Sequence, residues 1–127
     1  MRPIIFRAKR VDNGEWAEGD FVSNKYILQG YRVERGFVVP YNTFEVIPET
    51  VGQFTGELDF NGNKIFEGDI IQNKDGYVYT CQHKAVVKFE YGKFYAEGWC
   101  DFDPELFHLC EVIGNVIDNP ELLEEQK

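Results

Sequence analysis

Residues 45–71 read EVIPETVGQFTGELDFNGNKIFEGDII, and this stretch decides the fold. Two turn-forming pairs, Asn61-Gly62 and Gly68-Asp69, separate short runs of apolar and aromatic residues, and Gly52 and Gly56 divide the stretch further. Short apolar runs between glycine-containing turns are the pattern of a small, tightly curled antiparallel sheet. Gly68 can supply a positive φ and Asp69 can bond nearby backbone N–H groups, so this pair predicts a sharp turn between two strands.

The same alternation continues on both sides of this stretch. Asp12-Asn13-Gly14 predicts a tight hairpin turn, and Gly30 predicts a second hairpin that Pro40 closes. Glu18-Gly19-Asp20 is expected to interrupt the strand around it, and Tyr91-Gly92-Lys93 predicts a further hairpin. Strands are predicted at residues 4–8, 16–22, 26–28, 31–39, 43–47, 70–72, 77–80, 85–90, 94–96 and 112–117.

Helical signals occur at only two places. Asp103-Pro104 and Asn119-Pro120 each place proline at a first helical position behind an Asx cap, and a glutamate follows. The first predicts a single turn, and the second predicts a short helix that ends at Glu125. The fold class is therefore all-β, in one domain over residues 1–127.

Composition and charge narrow the function classes. The chain has 43% hydrophobic and 16% aromatic residues, enough for a packed core. Its net charge of −9 disfavours non-specific binding to nucleic acid and to anionic membranes. Residues 1–127 contain neither a secretory leader nor an apolar run of the ~20 residues that span a bilayer. An odd set of cysteines, Cys81, Cys100 and Cys110, fits a reducing compartment, so we expect a cytoplasmic protein.

Three motifs, in order along the chain, resemble the YopX family of phage and prophage proteins. They are IFRA at residues 5–8, VIPETVGQFTG at 46–56 with NG at 61–62 and EGDI at 67–70, and EVIGNVI at 111–117 with NPELL at 119–123. The resemblance implies an N-terminal β-hairpin extension at residues 1–48. For residues 49–127 it implies an SH3-like barrel with a C-terminal helical turn. It also implies a phage or prophage origin, and it carries over no catalytic residue.

Two acidic patterns are candidate sites. The pairs Glu18/Asp20 and Glu67/Asp69 have the i, i+2 spacing that places carboxylates on one face of a strand, but the glycine inside each pair favours turns. Residues 57–62, ELDFNG, resemble the opening of a calcium loop, yet Gly68 stands where the loop needs its twelfth-position glutamate. A hairpin turn is the favoured interpretation of this segment.

Cysteine and histidine form a possible zinc set. Cys81 with His83 and His108 with Cys110 would each present two ligands on one face of a strand. Their spacings differ from those of structural zinc sites, so buried thiols and surface imidazoles are favoured, and we expect no metal and no cofactor.

The densest positive patch is Arg2, Arg7, Lys9 and Arg10. Phe6 and Trp16 lie nearby in the sequence. Their rings could stack on bases while the cations bind phosphates, so this patch could bind single-stranded nucleic acid. The acidic balance of the chain favours the alternative, an edge strand protected by charge.

Three functions are thus in competition. The favoured hypothesis is a non-enzymatic interaction or assembly module that binds a host or phage protein, or copies of itself, through a β surface. The second is a nucleic-acid-related regulator, acting through the basic strand or as an acidic mimic of DNA. An enzyme whose site the sequence does not reveal is the third. No catalytic residue is assigned, and the binding surface is left open.

Overall fold

The protein is described by a computed structural model, which covers residues 4–73, 84–97 and 104–124. The predicted strand at 77–80 lies outside these residues, as do Arg2, Cys81, His83, Cys100 and Asp103. The chain divides into two compact units, Met1–Phe54 and Thr55–Lys127. This division falls a few residues after the predicted 48/49 boundary, and a single domain stays a prediction.

Strands dominate both units, which confirms the all-β class. The strands are β1 (Phe6–Lys9), β2 (Trp16–Val22), β3 (Tyr26–Glu34), β4 (Phe37–Glu45), β5 (Gly52–Leu58), β6 (Lys64–Phe66), β7 (Asp69–Asn73), β8 (Lys84–Glu90), β9 (Lys93–Glu97) and β10 (Cys110–Asn115). Two 3₁₀ helices, Pro48–Thr50 and Pro104–Leu109, and one α-helix, α1 (Glu121–Glu124), complete the described elements.

The first unit is built on an antiparallel sheet in the order β4-β3-β2-β1-β5. Its core cluster consists of Ala8, Ala17, Ile27 and Val46, with Phe6 among the residues packed against it. Ala8 of β1, Ala17 of β2 and Ile27 of β3 come together in this cluster. The register explains this, because it pairs Ala8 with Ala17 and Phe21 with Ile27. β1 lies between two strands, so the expectation that its cations protect a sheet edge is wrong.

The hairpin predicted at Asp12-Asn13-Gly14 is confirmed, since β1 and β2 pair in antiparallel register on either side of it. Gly14 has a φ of +72° and its N–H donates to the carbonyl of Arg10. This positive φ is the conformation for which glycine is suited.

The hairpin predicted at Gly30 is wrong. β3 runs through Gly30 without a turn, and the chain reverses only at Arg35-Gly36, where both residues have positive φ. Two positive-φ residues between paired strands form the two-residue turn that matches strand twist. Pro40 does not close this hairpin either, because it lies within β4 opposite Tyr31.

Glycine also fails to interrupt β2. The strand is continuous from Trp16 to Val22, and Gly19 takes part in the pairing with β1. A Cβ at Gly19 would lie 2.2 Å from the carbonyl oxygen of Leu28. The glycine therefore permits close approach of β2 and β3 instead of marking a turn.

The second unit contains a four-stranded antiparallel sheet in the order β10-β7-β8-β9. The last residues of β5, beyond Phe54, also belong to this unit, and β6 is their neighbour. The core cluster is larger than that of the first unit and consists of Ile65, Ile71, Ala85, Val87, Phe94, Ala96, Phe107 and Cys110. The hairpin at Tyr91-Gly92 is confirmed, with both residues at positive φ between β8 and β9.

The SH3-like barrel expected for residues 49–127 is not confirmed. Among the described residues, the strands form open sheets, and β9 and β10 stand at opposite ends of the four-stranded sheet without pairing. The predicted turn at Gly68 is present, with a φ of +92°.

The helical predictions are confirmed in part. α1 begins just after Pro120, as the Asn-Pro pattern predicts, whereas the segment after Asp103 is a 3₁₀ helix of six residues instead of one turn. In the described part of the chain, no helix is long and apolar enough to cross a membrane.

Candidate functional site

Within the acidic pair Glu67/Asp69, Asp69 has a structural role. Asp69 is buried, and its Oδ2 accepts a hydrogen bond of 2.8 Å from the backbone N–H of Phe66. This is the bond to nearby backbone that the sequence predicts for Asp69. A buried carboxylate that accepts a backbone N–H fixes the turn before β7.

The segment that resembles a calcium loop is a hairpin turn. Asp59 is buried, and its Oδ1 accepts from the backbone N–H groups of Asn61 at 2.9 Å and Asn63 at 2.8 Å. Its Oδ2 accepts from the backbone N–H of Val112 at 2.9 Å. The Asp59 carboxylate therefore bonds to backbone donors from two segments, and this explains why an acidic residue is buried here.

The His108/Cys110 half of the possible zinc set does not share one face of a strand. His108 lies exposed in the second 3₁₀ helix, whereas Cys110 begins β10 and is buried in the core. Burial, with the charge of Asp59 as a second cause, raises the pKa of the Cys110 thiol to about 12. A thiol so far from ionisation is a poor metal ligand at neutral pH. No group of three or more potential ligands occurs among the described residues.

The basic strand β1 uses its cations within the first unit. The Arg7 guanidinium lies 4.7 Å from the centre of the Trp16 ring, and Lys9 Nζ lies 5.4 Å from it. Arg10 forms an ion pair of 2.7 Å with Asp12. Phe6 packs against Phe21 in the core, so the structure does not display the proposed stacking platform.

A candidate site that the sequence did not reveal lies where β3 and β4 extend beyond the rest of the sheet. The last pair between β2 and β3 joins Asp20 to Leu28, whereas β3 and β4 remain paired out to Glu34 and Phe37. We call residues 31–40 the arm. It is a two-stranded ribbon whose strands pair only with each other.

One side of the arm is apolar and exposed. The cross-strand pairs Tyr31↔Pro40 and Val33↔Val38 place these four side chains on the same side, because directly opposite residues share a face and the strand period is two. We call these four residues the apolar face. Tyr31 is 45% exposed, Val33 73% and Val38 70%.

The opposite side of the arm mixes charge with aromatic surface. Arg32 pairs with Glu34 at 2.9 Å, and its guanidinium lies 5.6 Å from the centre of the Tyr41 ring. Phe37 belongs to this side as well and is 71% exposed. The two sides therefore differ in chemistry although both are accessible.

An acidic cleft of about 340 Å³ adjoins the base of the arm. Glu18 and Asp20 line it together with Ile5, Leu28 and Gly30. Both carboxylates are exposed and lie on one face of β2, which fulfils the i, i+2 geometry that the sequence suggested but that the glycine argument rejected.

Tyr31 links the cleft to the apolar face. Its hydroxyl donates a hydrogen bond of 2.5 Å to Asp20 Oδ2. This bond raises the pKa of Tyr31 above its ordinary value, so the hydroxyl is protonated at neutral pH and can donate. The Gln29 side chain donates to the carbonyl oxygen of Glu18 at 2.8 Å and further fixes the cleft wall.

The fold and this surface describe an all-β protein with an exposed apolar β-ribbon beside an acidic cleft. The model of the YopX family, described as YopX protein, matches residues 5–124, and the chain belongs to that family. The chain is also similar to protein EF1440 from Enterococcus faecalis, for which a crystal structure exists. The two are 23% identical, the match covers 97% of this chain and 99% of that one, and the TM-score is 0.68. At that identity the similarity shows a shared fold. No curated protein matches the chain.

Proposed function

We propose that the chain is a non-enzymatic protein-interaction module, of the phage or prophage type that the family resemblance implies, and that the arm is its binding element. The observation that carries this proposal is the apolar face, which leaves Val33 and Val38 mostly exposed on a two-stranded ribbon. The cytoplasmic setting expected from the cysteines belongs to the same proposal.

Two physical arguments support the arm as a binding element. A two-stranded ribbon with no third strand is at best marginally stable in water, so packing against a partner stabilises it. Clustered apolar side chains on a surface also mark interaction sites more often than scattered ones do. The residues of the apolar face are adjacent across the ribbon, so they form one patch.

The nucleic-acid alternative receives less support from the described residues. Arg7 and Lys9 contact Trp16, and Arg10 contacts both Asp12 and the Phe44 ring, so the basic strand serves the first unit itself.

An SH3-like arrangement of the second unit remains part of the proposal, with the antiparallel sheet β10-β7-β8-β9 as its support.

A capture experiment with matched variants tests the proposed function. The wild-type chain, Val33→Lys and Phe37→Lys are used as baits in a nuclease-treated host lysate, and bound proteins are quantified by mass spectrometry. Val33 and Phe37 have nearly equal exposure but lie on opposite sides of the arm. We expect a stoichiometric protein partner that binds wild type and Phe37→Lys and is lost with Val33→Lys. Partners that disappear only on nuclease treatment would favour the nucleic-acid alternative instead.

A further inference from the structure

We infer that the apolar face binds a second copy of this chain, so that two arms pack antiparallel across a two-fold axis, with Arg35 of each arm at the acidic cleft of the other copy. This inference rests on the proposed function and names the partner of the same arm. It is carried by the charges at the two ends of the apolar face.

The outer edge of β4 is not the surface used. β4 is the last strand of its sheet, and Pro40 sits opposite Tyr31 in the middle of the arm. Because proline has no N–H, Tyr31 and Pro40 form a non-hydrogen-bonded pair of the antiparallel ladder. The Pro40 nitrogen therefore faces the outer edge of β4. A proline on an outward edge blocks the addition of another strand. Strand addition at the β4 edge is therefore disfavoured, and the inference uses the apolar face of the arm instead.

The apolar face contains no charged residue, whereas charge flanks it at both ends. Arg35 lies at the tip of the arm, in the turn with Gly36. Glu18 and Asp20 lie at the base, and Asp20 is bonded to Tyr31 of the face itself. The arm carries two arginines and one glutamate in a chain of net charge −9, so its tip is a positive point on an acidic protein.

These positions make the face complementary to itself. If the two-fold axis passes near residue 32, Arg35 lies three residues beyond the axis, and Gln29 of the cleft wall lies three residues before it. In antiparallel packing each separation is about 10 Å along the strand, so the tip of one arm lies opposite the cleft of the other. A two-fold interface repeats every contact, and two Arg35–acidic contacts then flank one apolar centre.

A dimer of this kind explains why one face carries no charge whereas the other does. In the centre, Tyr31, Val33 and Val38 of the two copies would lose water together, and an aromatic residue at such a centre is typical of interfaces. The charged side with Arg32 and Glu34 would remain in solvent. Two copies of an acidic chain repel each other. The positive charge of Arg35 at each tip offsets this repulsion where it meets the acidic cleft of the other copy.

Sedimentation velocity of the purified full chain over a concentration series tests the inference. We expect a concentration-dependent dimer, a loss of dimer in Val33→Lys, and retention of it in the matched control Phe37→Lys. Circular dichroism verifies that each variant is folded. We expect Arg35→Glu to weaken the dimer about tenfold and the dimer to lose affinity as salt is raised.

Several outcomes would overturn the inference. They are a wild-type chain that is monomeric at every concentration, a dimer that Val33→Lys leaves intact, and a dimer that Phe37→Lys disrupts equally. If the chain is monomeric but Val33→Lys loses a captured foreign protein, self-association fails and the proposed function stands. If Val33→Lys changes neither dimerisation nor the capture of a foreign protein, both the self-association and the proposed function fail.

Discussion

At the scale of single residues, buried polar groups explain why the turns of the second unit hold their shape. Asp59 joins its own turn to β10, because its carboxylate accepts from Asn61 and Asn63 on one side and from Val112 on the other. Sequence showed the acidic turn but could not show the bond to Val112, since that partner is distant along the chain. The oxygen-bearing residues at alternate positions of residues 57–62, and not this contact, made a structural aspartate resemble a metal ligand.

Replacement of Asp59 tests this role. In Asp59→Ala three backbone N–H groups lose a buried acceptor, and partly buried donors without an acceptor are costly, so we expect a loss of about 2–4 kcal/mol in the free energy of unfolding. Urea denaturation measures it. The control is Asp12→Ala, which removes an exposed, solvent-screened ion pair with Arg10 and should change the free energy of unfolding far less than Asp59→Ala does. Equal effects of the two variants would contradict a structural role for Asp59.

The buried Cys110 thiol predicts how the stability of the fold depends on pH. Its pKa is raised to about 12 in the folded protein, from an ordinary value near 9, so the folded state keeps the proton that the unfolded state loses. Stability is therefore unaffected by this group below about pH 8 and falls as pH rises from about 9 towards 12. Peptide-resolved mass spectrometry after iodoacetamide treatment at pH 8 should show slow alkylation of Cys110 that becomes rapid in urea. Rapid alkylation in the native protein would contradict the burial.

At the scale of strands and turns, sequence predicted those features that depend on neighbours along the chain. The turns at Asp12-Asn13-Gly14 and Tyr91-Gly92 were predicted correctly, because their two sides are adjacent in sequence. Gly30 misled the prediction, since a glycine within a long ribbon resembles a glycine in a turn, and Arg35-Gly36 contains no asparagine to mark it. The arm was therefore not visible as a single element.

Gly19 gives a test at this scale, because its role is close approach between strands. In Gly19→Ala the new Cβ would meet the Leu28 carbonyl oxygen at 2.2 Å, and this backbone atom cannot rotate away. We expect a cost of about 3 kcal/mol or more in the free energy of unfolding, by thermal or urea denaturation. Gly14→Ala is the matched control: it has φ +72° but nothing within 4 Å, so strain alone should cost about 1 kcal/mol. If Gly19→Ala were as mild as Gly14→Ala, the close packing of β2 on β3 would be in doubt.

At the scale of the whole molecule, composition and pattern identified an all-β protein, and the motifs identified its family over nearly the whole chain. They could not locate the binding surface, because that surface depends on how far the β3–β4 ribbon extends beyond β2. The acidic pair Glu18/Asp20 was noticed, but only the fold places it beside the apolar face and Tyr31. We therefore infer that this juxtaposition makes the chain bind its own copy.

Mixing two charge variants is the sharpest test of this self-association. Arg35→Glu places like charges at both ends of a homodimer, and Glu18→Arg puts a cation beside Asp20 in the cleft that Arg35 faces. Each variant alone should therefore dimerise about tenfold more weakly than wild type in sedimentation velocity. In the mixture, the Arg35 tip of Glu18→Arg faces the intact Glu18/Asp20 cleft of Arg35→Glu, and the two introduced charges are opposite in sign. We predict that a heterodimer forms at concentrations where each variant alone is largely monomeric. A mixture that sediments as the average of its two monomeric components would contradict the claim, as would single variants that dimerise like wild type.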